Sequence, residues 1–179
     1  AEMARIHMDE SHYALAVLAV SQAIKISPDR ADLRNLAGQV HQFHGQSGGG
    51  EPELRLAARE YEAAAALDPA DPAPLRDLTR LYPVLRDTKA ARDTWKRLSV
   101  ADPRNIDAFL QVANLSINAG DTQGAVEALE TATAADPLNA RVLQVLGDIQ
   151  QEAGKTDAAL RHYEAAAKLD GKDLITRLK

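Results

Sequence analysis

Residues 102–137 read DPRNIDAFLQVANLSINAGDTQGAVEALETATAADP, a stretch that begins and ends with the pair Asp-Pro. The same pair stands one step upstream at Asp68-Pro69, so that prolines stand at 69, 103 and 137, each 34 residues from the next. One further step along the chain leads to Asp170-Gly171. A fixed period of this length indicates a repeat architecture, in which each unit is too small to bury its own apolar face and packs on its neighbours.

Small and large apolar residues recur at matched places around these prolines. Large residues three or four apart share one face of a helix, and a small residue beside them lets a second helix approach closely. The pattern therefore predicts two packed antiparallel helices in each unit. The second helix ends at the proline of the Asp-Pro pair, because proline cannot continue a helix. The matched sets are Leu75, Leu78, Ala91 and Trp95 in one unit, Phe109, Val112, Ala125 and Leu129 in the next, and Leu143, Leu146, Ala159 and Tyr163 in the last.

Turn residues separate the two predicted helices of each unit. In Gly120-Asp121-Thr122 and Gly154-Lys155-Thr156, glycine favours the end of the first helix, and Asp or Thr can cap the start of the second. Pro83 stands late in a first helix, where it is expected to kink or shorten that helix. Trp95 occupies the aromatic place of its unit and is predicted to belong to the core.

The pattern continues upstream with an irregularity. Leu33 to Ala57 spans 24 residues, whereas Leu143 to Ala159 spans 16, which predicts an insertion of eight residues between the two helices. The stretch Gly45–Pro52 has the composition of a flexible loop. At the other end, Gly171 is predicted to close the last complete unit. The resulting division is a partial unit over 1–29, a unit over 30–71 with the inserted loop at 45–52, units over 72–105, 106–139 and 140–173, and the start of a capping or further helix over 174–179.

The composition excludes several classes of function. The chain has 179 residues and a net charge of −5, which argues against general binding of nucleic acid or of an anionic membrane surface. It has no cysteine, so disulfides, thiolate metal sites and cysteine nucleophiles are excluded. No apolar run reaches the roughly 18 residues of a membrane span. The expectation is a soluble protein without direct membrane insertion, with the compartment open between cytoplasm and periplasm.

Catalytic and cofactor motifs are absent from the sequence. It has no metalloprotease, phosphate-loop or nucleophile-elbow signature, so we predict no enzyme activity and no cofactor. His41-x-x-His44, next to a stretch that contains Glu51, admits a zinc site as an alternative. Two histidines without a fixed third ligand are more simply explained as the polar end of a helix, and we prefer that interpretation.

Taken together, the 34-residue period, the paired leucines and the small-aromatic spacing of the second helices resemble the tetratricopeptide repeat. The resemblance implies an all-α fold, a right-handed α-solenoid of antiparallel helix pairs, and a groove lined by the first helices that binds a protein or an extended peptide. The matching groove positions are Arg34, Asn35, Gly38, His41 and Gln42; Arg76, Asp77, Arg80 and Val84; Asp107, Leu110, Gln111, Asn114 and Asn118; and Arg141, Gln144, Asp148 and Gln151.

The groove positions also suggest what is bound. Arg34, Arg76 and Arg80 make the middle of the set basic, and arginine holds carboxylates in a forked geometry, so the expected ligand is acidic or polar. Two alternatives stay open. Instead of binding a ligand in this groove, the array could serve as a structural spacer or self-associating element of an envelope or secretion complex. The other alternative is that it forms the substrate-selecting arm of a larger enzyme.

Overall fold

The protein is described by a computed structural model that covers residues 2–4 and 12–177, and gives for residues 170 and 172–177 the backbone alone. Every regular element in this part of the chain is a helix, which confirms the all-α prediction. Beyond the short helical stretch at residues 2–4, the helices are α1 (Tyr13–Ile26), α2 (Ala31–His44), α3 (Gly50–Leu67), α4 (Ala73–Val84), α5 (Thr88–Ala101), α6 (Ile106–Asn118), α7 (Thr122–Ala135), α8 (Ala140–Glu152) and α9 (Thr156–Arg177).

The helices form two compact units, Ala1–Ala101 and Asp102–Lys179. In the first unit, α3 packs against both α2 and α4, while α1 packs on α2 and α5 on α4. In the second unit, α7 packs against both α6 and α8, and α9 packs on α8. Since short turns join these neighbours, consecutive helices run antiparallel, as the helical repeat predicts.

The Asp-Pro pairs end the second helices by a shared geometry. The backbone N–H of Asp68 donates to the carbonyl of Ala64 at 3.0 Å, and the Asp68 carboxylate accepts a hydrogen bond from the N–H of Ala70 at 3.2 Å. Asp136 repeats this with Leu138, also at 3.2 Å. The aspartate thus satisfies the turn backbone while the proline next to it blocks helix continuation.

The first helices end in a left-handed residue whose neighbours close a Schellman motif. Gly120 has φ 77° and Gly154 has φ 73°, and the N–H of Asp121 donates to the carbonyl of Ser116 at 2.9 Å. The corresponding residue at the end of α4 is Arg86, with φ 57°, a conformation that is costly for a residue with a side chain. Asp121 then caps α7 through the N–H of Gly124, at 2.8 Å, which confirms the predicted cap.

Pro83 shortens its helix only slightly. It is the next-to-last residue of α4, which has 12 residues, whereas α6 and α8 have 13 each. Trp95 lies half-buried on α5, next to the fully buried Thr94. The core of the second unit includes Leu129 and Leu146, which follow the predicted apolar pattern.

A glycine under an aromatic ring sets the alignment of the repeats. A Cβ atom on Gly38 would lie 2.5 Å from Tyr61 Cδ1, and one on Gly147 would lie 2.5 Å from Tyr163 Cε1. The glycine and the ring are 23 positions apart in the first pair and 16 in the second. By this contact the insertion is seven residues, so the count of eight, which aligned Ala37 with Gly147, is one too many.

The inserted segment is more ordered in its backbone than the loop predicted at 45–52. Residues Gly45–Gly49 continue α2 into a turn that is broken at Gly48, and α3 already begins at Gly50, so Glu51 and Pro52 lie in its first turn. Proline and acidic residues are favourable there, because the first turn needs no amide donor from proline and its free N–H groups attract negative charge. Gly48, with φ 123°, supplies the reversal that a residue with a Cβ resists.

The last helix does not end at Gly171. Helix α9 continues through it to Arg177, so the predicted helix end at this glycine and a separate helix over 174–179 are wrong for the described residues. Glycine costs about 1 kcal/mol in a helix interior but, unlike the prolines of the earlier units, does not block the next turn. Leu178 and Lys179 lie outside the described residues.

Candidate functional site

The predicted groove positions lie on the first helices of the helix pairs. Twelve of them are the principal candidates, six in each compact unit. In the first unit they are Arg34, Asn35 and His41 on α2, and Arg76, Asp77 and Arg80 on α4; in the second unit they are Gln111, Asn114 and Asn118 on α6, and Arg141, Gln144 and Asp148 on α8. In the first unit, α2 and α4 both pack on α3. We call the set Asn35, Gln42, Asp77 and Arg80 the first-helix face.

Asp77 is the most unusual residue of this face. Its side chain is half-buried on α4, and burial raises the pKa of the carboxyl group, an effect that the nearby Arg80 guanidinium opposes. No residue in the described part of the chain donates a hydrogen bond to this carboxylate. A partly desolvated carboxylate without donors is unfavourable on its own and is well suited to accept hydrogen bonds from a ligand.

Tyr61 lies beside Asp77 and links α3 to α2. The ring is buried, and its hydroxyl donates to Gln42 Oε1 at 2.7 Å. Burial raises the pKa of Tyr61, and the negative charge of Asp77 raises it further. Because this hydrogen bond occupies the Gln42 carbonyl, the Gln42 amide NH2 is oriented away from Tyr61 and adds two donors to the face.

Asn35 offers a second unsatisfied acceptor on α2. Its Oδ1 atom is buried and accepts no hydrogen bond from any described residue. A buried acceptor left without a donor costs about 1–3 kcal/mol. Because this atom has no solvent-exposed surface, Asp77 is the accessible acceptor of the first-helix face, and a ligand would reach the Asn35 oxygen only after its side chain turned outward.

Arg34 does not contribute to this face in the expected way. Its guanidinium Nη1 lies 3.0 Å from Glu60 Oε2 on α3, and the side chain is only 28 % exposed. The predicted basic set of three arginines is therefore reduced, since Arg34 is already paired across the helix interface. Arg76 and Arg80 are exposed on α4.

His41 belongs to a cluster at the inserted turn. Its Nδ1 lies 2.7 Å from Glu53 Oε2, and His44 Nδ1 lies 3.3 Å from the same oxygen. The hydrogen bond from His41 is the main reason that the pKa of Glu53 is lowered. The ring of His44 stacks on Tyr13, with centroids 5.6 Å apart.

The zinc alternative placed Glu51 beside these histidines, and this placement is wrong. Glu51 pairs with Arg55, one turn along α3, at 2.6 Å, and Glu53 takes its place instead. Across the residues that the structure describes, no group of three or more His, Cys, Asp or Glu side chains is arranged to hold a metal ion. The hydrogen bond between His41 and Glu53 ties the end of α2 to the start of α3.

In the second unit, several candidates interact with each other. Arg141 Nη1 lies 3.3 Å from Asp107 Oδ1, joining α8 to α6. Asp148 accepts a hydrogen bond from the Tyr163 hydroxyl at 2.7 Å, and this bond is the main reason that the pKa of Tyr163 is raised.

The remaining candidates of the second unit differ in exposure. Asn114, Asn118 and Gln144 are exposed, and Gln111 is half-buried. Leu110 is 4 % exposed and belongs to the core, so its assignment to the groove was wrong.

Sequence reasoning missed three residues that shape the site. Glu60 on α3 pairs with Arg34, and Glu53 on the same helix bonds His41. The third residue is Tyr61, whose hydroxyl orients the Gln42 amide. The repeat spacing assigned α3 to the packing role of a second helix. It carried no signal for polar groups that cross from that helix to the first-helix face.

Comparison with known families agrees with this architecture. A family model described as tetratricopeptide repeat matches residues 116–179. This part of the chain carries the tetratricopeptide repeat. The match spans α7, α8 and α9, and the same glycine-aromatic contact found there, between Gly147 and Tyr163, recurs in the first unit between Gly38 and Tyr61.

Solved structures extend the likeness to nearly the whole chain. The crystal structure of MamA aligns with a TM-score of 0.63 over 96 % of this chain and 96 % of that one, at 17 % identity. YrrB, described as a TPR protein with an unusual peptide-binding site, aligns with a TM-score of 0.59 over 93 % of this chain and 82 % of that one, also at 17 % identity. These likenesses show the tetratricopeptide fold. No curated protein matches the sequence.

Among the residues that the structure describes, no helix combines the length and the apolar character needed to cross a bilayer.

Proposed function

We propose that this tetratricopeptide repeat chain is a non-catalytic protein-interaction module whose first-helix face binds an extended segment of a partner protein. The observation that carries the proposal is the Asp77 carboxylate, half-buried and without a donor in the described structure. A folded chain keeps such a group at a cost in stability, which is a common property of binding sites.

The chemistry of the face favours a peptide backbone as the ligand. The Asp77 carboxylate on α4 matches an N–H group of an extended chain, and the Gln42 amide on α2 matches a carbonyl. Hydrogen bonds to the backbone give affinity with little dependence on the partner's sequence. Arg76 and Arg80 add positive charge beside them, which favours carboxylates next to the bound backbone.

A relative by fold supports the class of ligand. The YrrB structure is described as having a peptide-binding site, and the tetratricopeptide fold of this chain provides the same type of helical surface. The absence of catalytic signatures in the sequence supports a binding role rather than a catalytic one.

The test is affinity capture from the native source at low salt with three forms of the protein: wild type, Asp77→Ala with Asn35→Ala, and the control Asp157→Ala. Asp157 is an exposed carboxylate in the first turn of α9, a helix of the second unit that carries no residue of the first-helix face. Retained proteins are identified by mass spectrometry, and the segment they share is synthesised and titrated. Loss of a partner with the double variant, but not with the control, supports the proposal.

The self-association alternative is tested on the same samples. Light scattering over a range of concentrations reports whether the mass rises above that of one chain. A partner that binds all three forms equally, or a concentration-dependent mass that the face variant leaves unchanged, contradicts binding at the first-helix face. Either result favours the spacer or self-associating element.

A further inference from the structure

An open cavity of about 740 Å³ lies on a different surface of the first unit, between the second helices α3 and α5. Its lining is Ala65, Pro69, Ala70, Leu75, Lys96, Arg97, Val100 and Ala101. The volume is within the roughly 300–1,000 Å³ typical of ligand sites. We call these eight residues the second-helix cavity. None of them belongs to the first-helix face, so binding at this cavity is independent of the function proposed for that face.

The floor of this cavity is apolar and its open side carries an unusual valine. Ala65 and Leu75 are 4 % and 3 % exposed and form the base, whereas Val100 is 79 % exposed at the edge. At the equivalent position of the other units, 34 residues before and 34 and 68 residues after Val100, the chain has Ala66, Ala134 and Lys168. An exposed valine above an apolar floor is thus particular to this unit and provides surface for an apolar group of a ligand.

The rim reverses the charge found in the other units. Lys96 occupies the position held by Glu62, Glu130 and Glu164 in the other second helices. The next residue is Arg97, where the other units have alanine or threonine. In a chain with a net charge of −5, two adjacent cations at a position that is otherwise acidic form a local site for an anionic group.

The two cations have different roles. Arg97 Nη1 lies 2.7 Å from Glu62 Oε2, which ties α5 to α3 and holds one wall of the cavity in place. The Lys96 ammonium takes part in no ion pair with the residues that the structure describes. Lys96 is therefore the charge available to a ligand, since Arg97 is already paired with Glu62.

The spacing of Lys96 and Val100 specifies the form of the ligand. They are four residues apart on α5, about 6 Å along the helix axis and on one face. In an extended peptide, side chains two residues apart lie on the same side and about 6.6 Å from each other. We propose that the second-helix cavity binds an extended partner segment in which a carboxylate side chain and a large apolar side chain are separated by one residue, with the carboxylate at Lys96 and the apolar group between Val100 and Leu75.

The experiment titrates isotope-labelled protein with the peptide Gly-Ser-Glu-Ser-Leu-Ser-Gly and follows backbone amide shifts by NMR. We expect shifts in residues 96–101 and at Ala65, Ala70 and Leu75. Lys96→Glu restores the residue of the other units and is expected to weaken binding about fivefold or more. Val100→Ala, which copies the corresponding alanine of two other units, is expected to weaken binding about threefold.

Three controls separate this surface from others. The peptide Gly-Ser-Lys-Ser-Leu-Ser-Gly should bind at least as weakly to wild type as the glutamate peptide binds to Lys96→Glu. Arg80→Glu, on the first-helix face, should leave the titration unchanged, and added salt should weaken binding to wild type more than to Lys96→Glu.

Absence of shifts at the cavity, or equal affinities for wild type and Lys96→Glu, overturns the proposal. Shifts on α2 and α4 that Arg80→Glu abolishes would assign the peptide to the first-helix face instead. A concentration-dependent mass that Lys96→Glu reduces would show that a second copy of the chain, and not a peptide, occupies the cavity.

Discussion

Replacing Gly38 by alanine tests whether close helix packing, rather than backbone freedom, requires glycine at this position. Gly38 lies within α2, and the added Cβ would lie 2.5, 2.6 and 2.9 Å from three ring carbons of Tyr61. That ring is 1 % exposed and its hydroxyl is bonded to Gln42, so it has little room to move. Overpacking of this kind costs about 1–3 kcal/mol. With three ring carbons in the way, the cost falls in the upper part of that range, about 2–3 kcal/mol. Alanine regains about 1 kcal/mol of helix propensity, so we expect a net loss of about 1–2 kcal/mol.

The matched substitution is Gly147→Ala in the second unit. Its Cβ would also lie 2.5 Å from a tyrosine ring, but Tyr163 is partly exposed, so the ring can turn toward solvent while water replaces the exposed hydrogen bonds of its hydroxyl to Asp148 and Gln151. The packing cost is then largely relieved, and the gain in propensity brings the net change close to zero, within about 0.5 kcal/mol.

Urea unfolding measures both changes. Far-ultraviolet circular dichroism follows the whole chain, and the fluorescence of Trp95, the one tryptophan, follows the first unit. A Gly38→Ala variant as stable as wild type, or a Gly147→Ala variant destabilised as strongly, would refute this account. The background Tyr61→Leu provides the control, because it copies the pair Ala113 and Leu129. In that background Gly38→Ala should lose most of its cost.

Three further substitutions test the backbone and the titrating groups. Arg86→Gly should raise the free energy of unfolding by about 1 kcal/mol. The substitution relieves a left-handed conformation that costs about 1–2 kcal/mol, but glycine also makes the unfolded chain more flexible, which offsets part of the gain. An unchanged urea midpoint would count against strain at this turn. Asp77→Asn should stabilise the fold at pH 7 but not at about pH 3. The reason is that the pKa of Asp77 is raised, which means that folding disfavours its charged carboxylate. A loss of stability at neutral pH would instead indicate a structural partner of the carboxylate. Glu53→Gln should lower the free energy of unfolding at neutral pH, and this difference from wild type should vanish as the pH falls through the lowered pKa of Glu53. A difference that persists in acid would assign the role of Glu53 to packing instead.

The helical repeat could be predicted from the sequence because its signals are local. In the Asp-Pro pairs, proline lacks the N–H that would continue the helix, and the aspartate carboxylate bonds the backbone of the following turn. Both effects act within a few residues of Asp68 and Asp136. The same is true of the Asp121 cap. Ambiguous local signals predict less well. Glycine at 171 predicts a helix end but only weakens the helix, and the predicted loop over Gly45–Pro52 contains the break at Gly48 together with the first residues of α3.

The candidate site was only partly predictable. The repeat placed Asn35, Asp77 and Arg80 on first helices, and the structure has them there. Which of them are available depends on side chains from another helix, as the pairs Arg34–Glu60 and His41–Glu53 show. The partners are 26 and 12 residues apart, and no spacing rule connects them.

The sequence by itself determined that this chain is a series of helix pairs, because the proline, glycine and apolar periodicities act through the nearest backbone and the adjacent helix turn. Tertiary structure decided the length of the insertion, through the contact of Gly38 with Tyr61. It also decided which polar groups are left without partners, since that depends on the distances between side chains that only packing brings together. Asp77 and Lys96 are ordinary residues in the sequence, and their chemistry comes from what the fold places, or does not place, beside them.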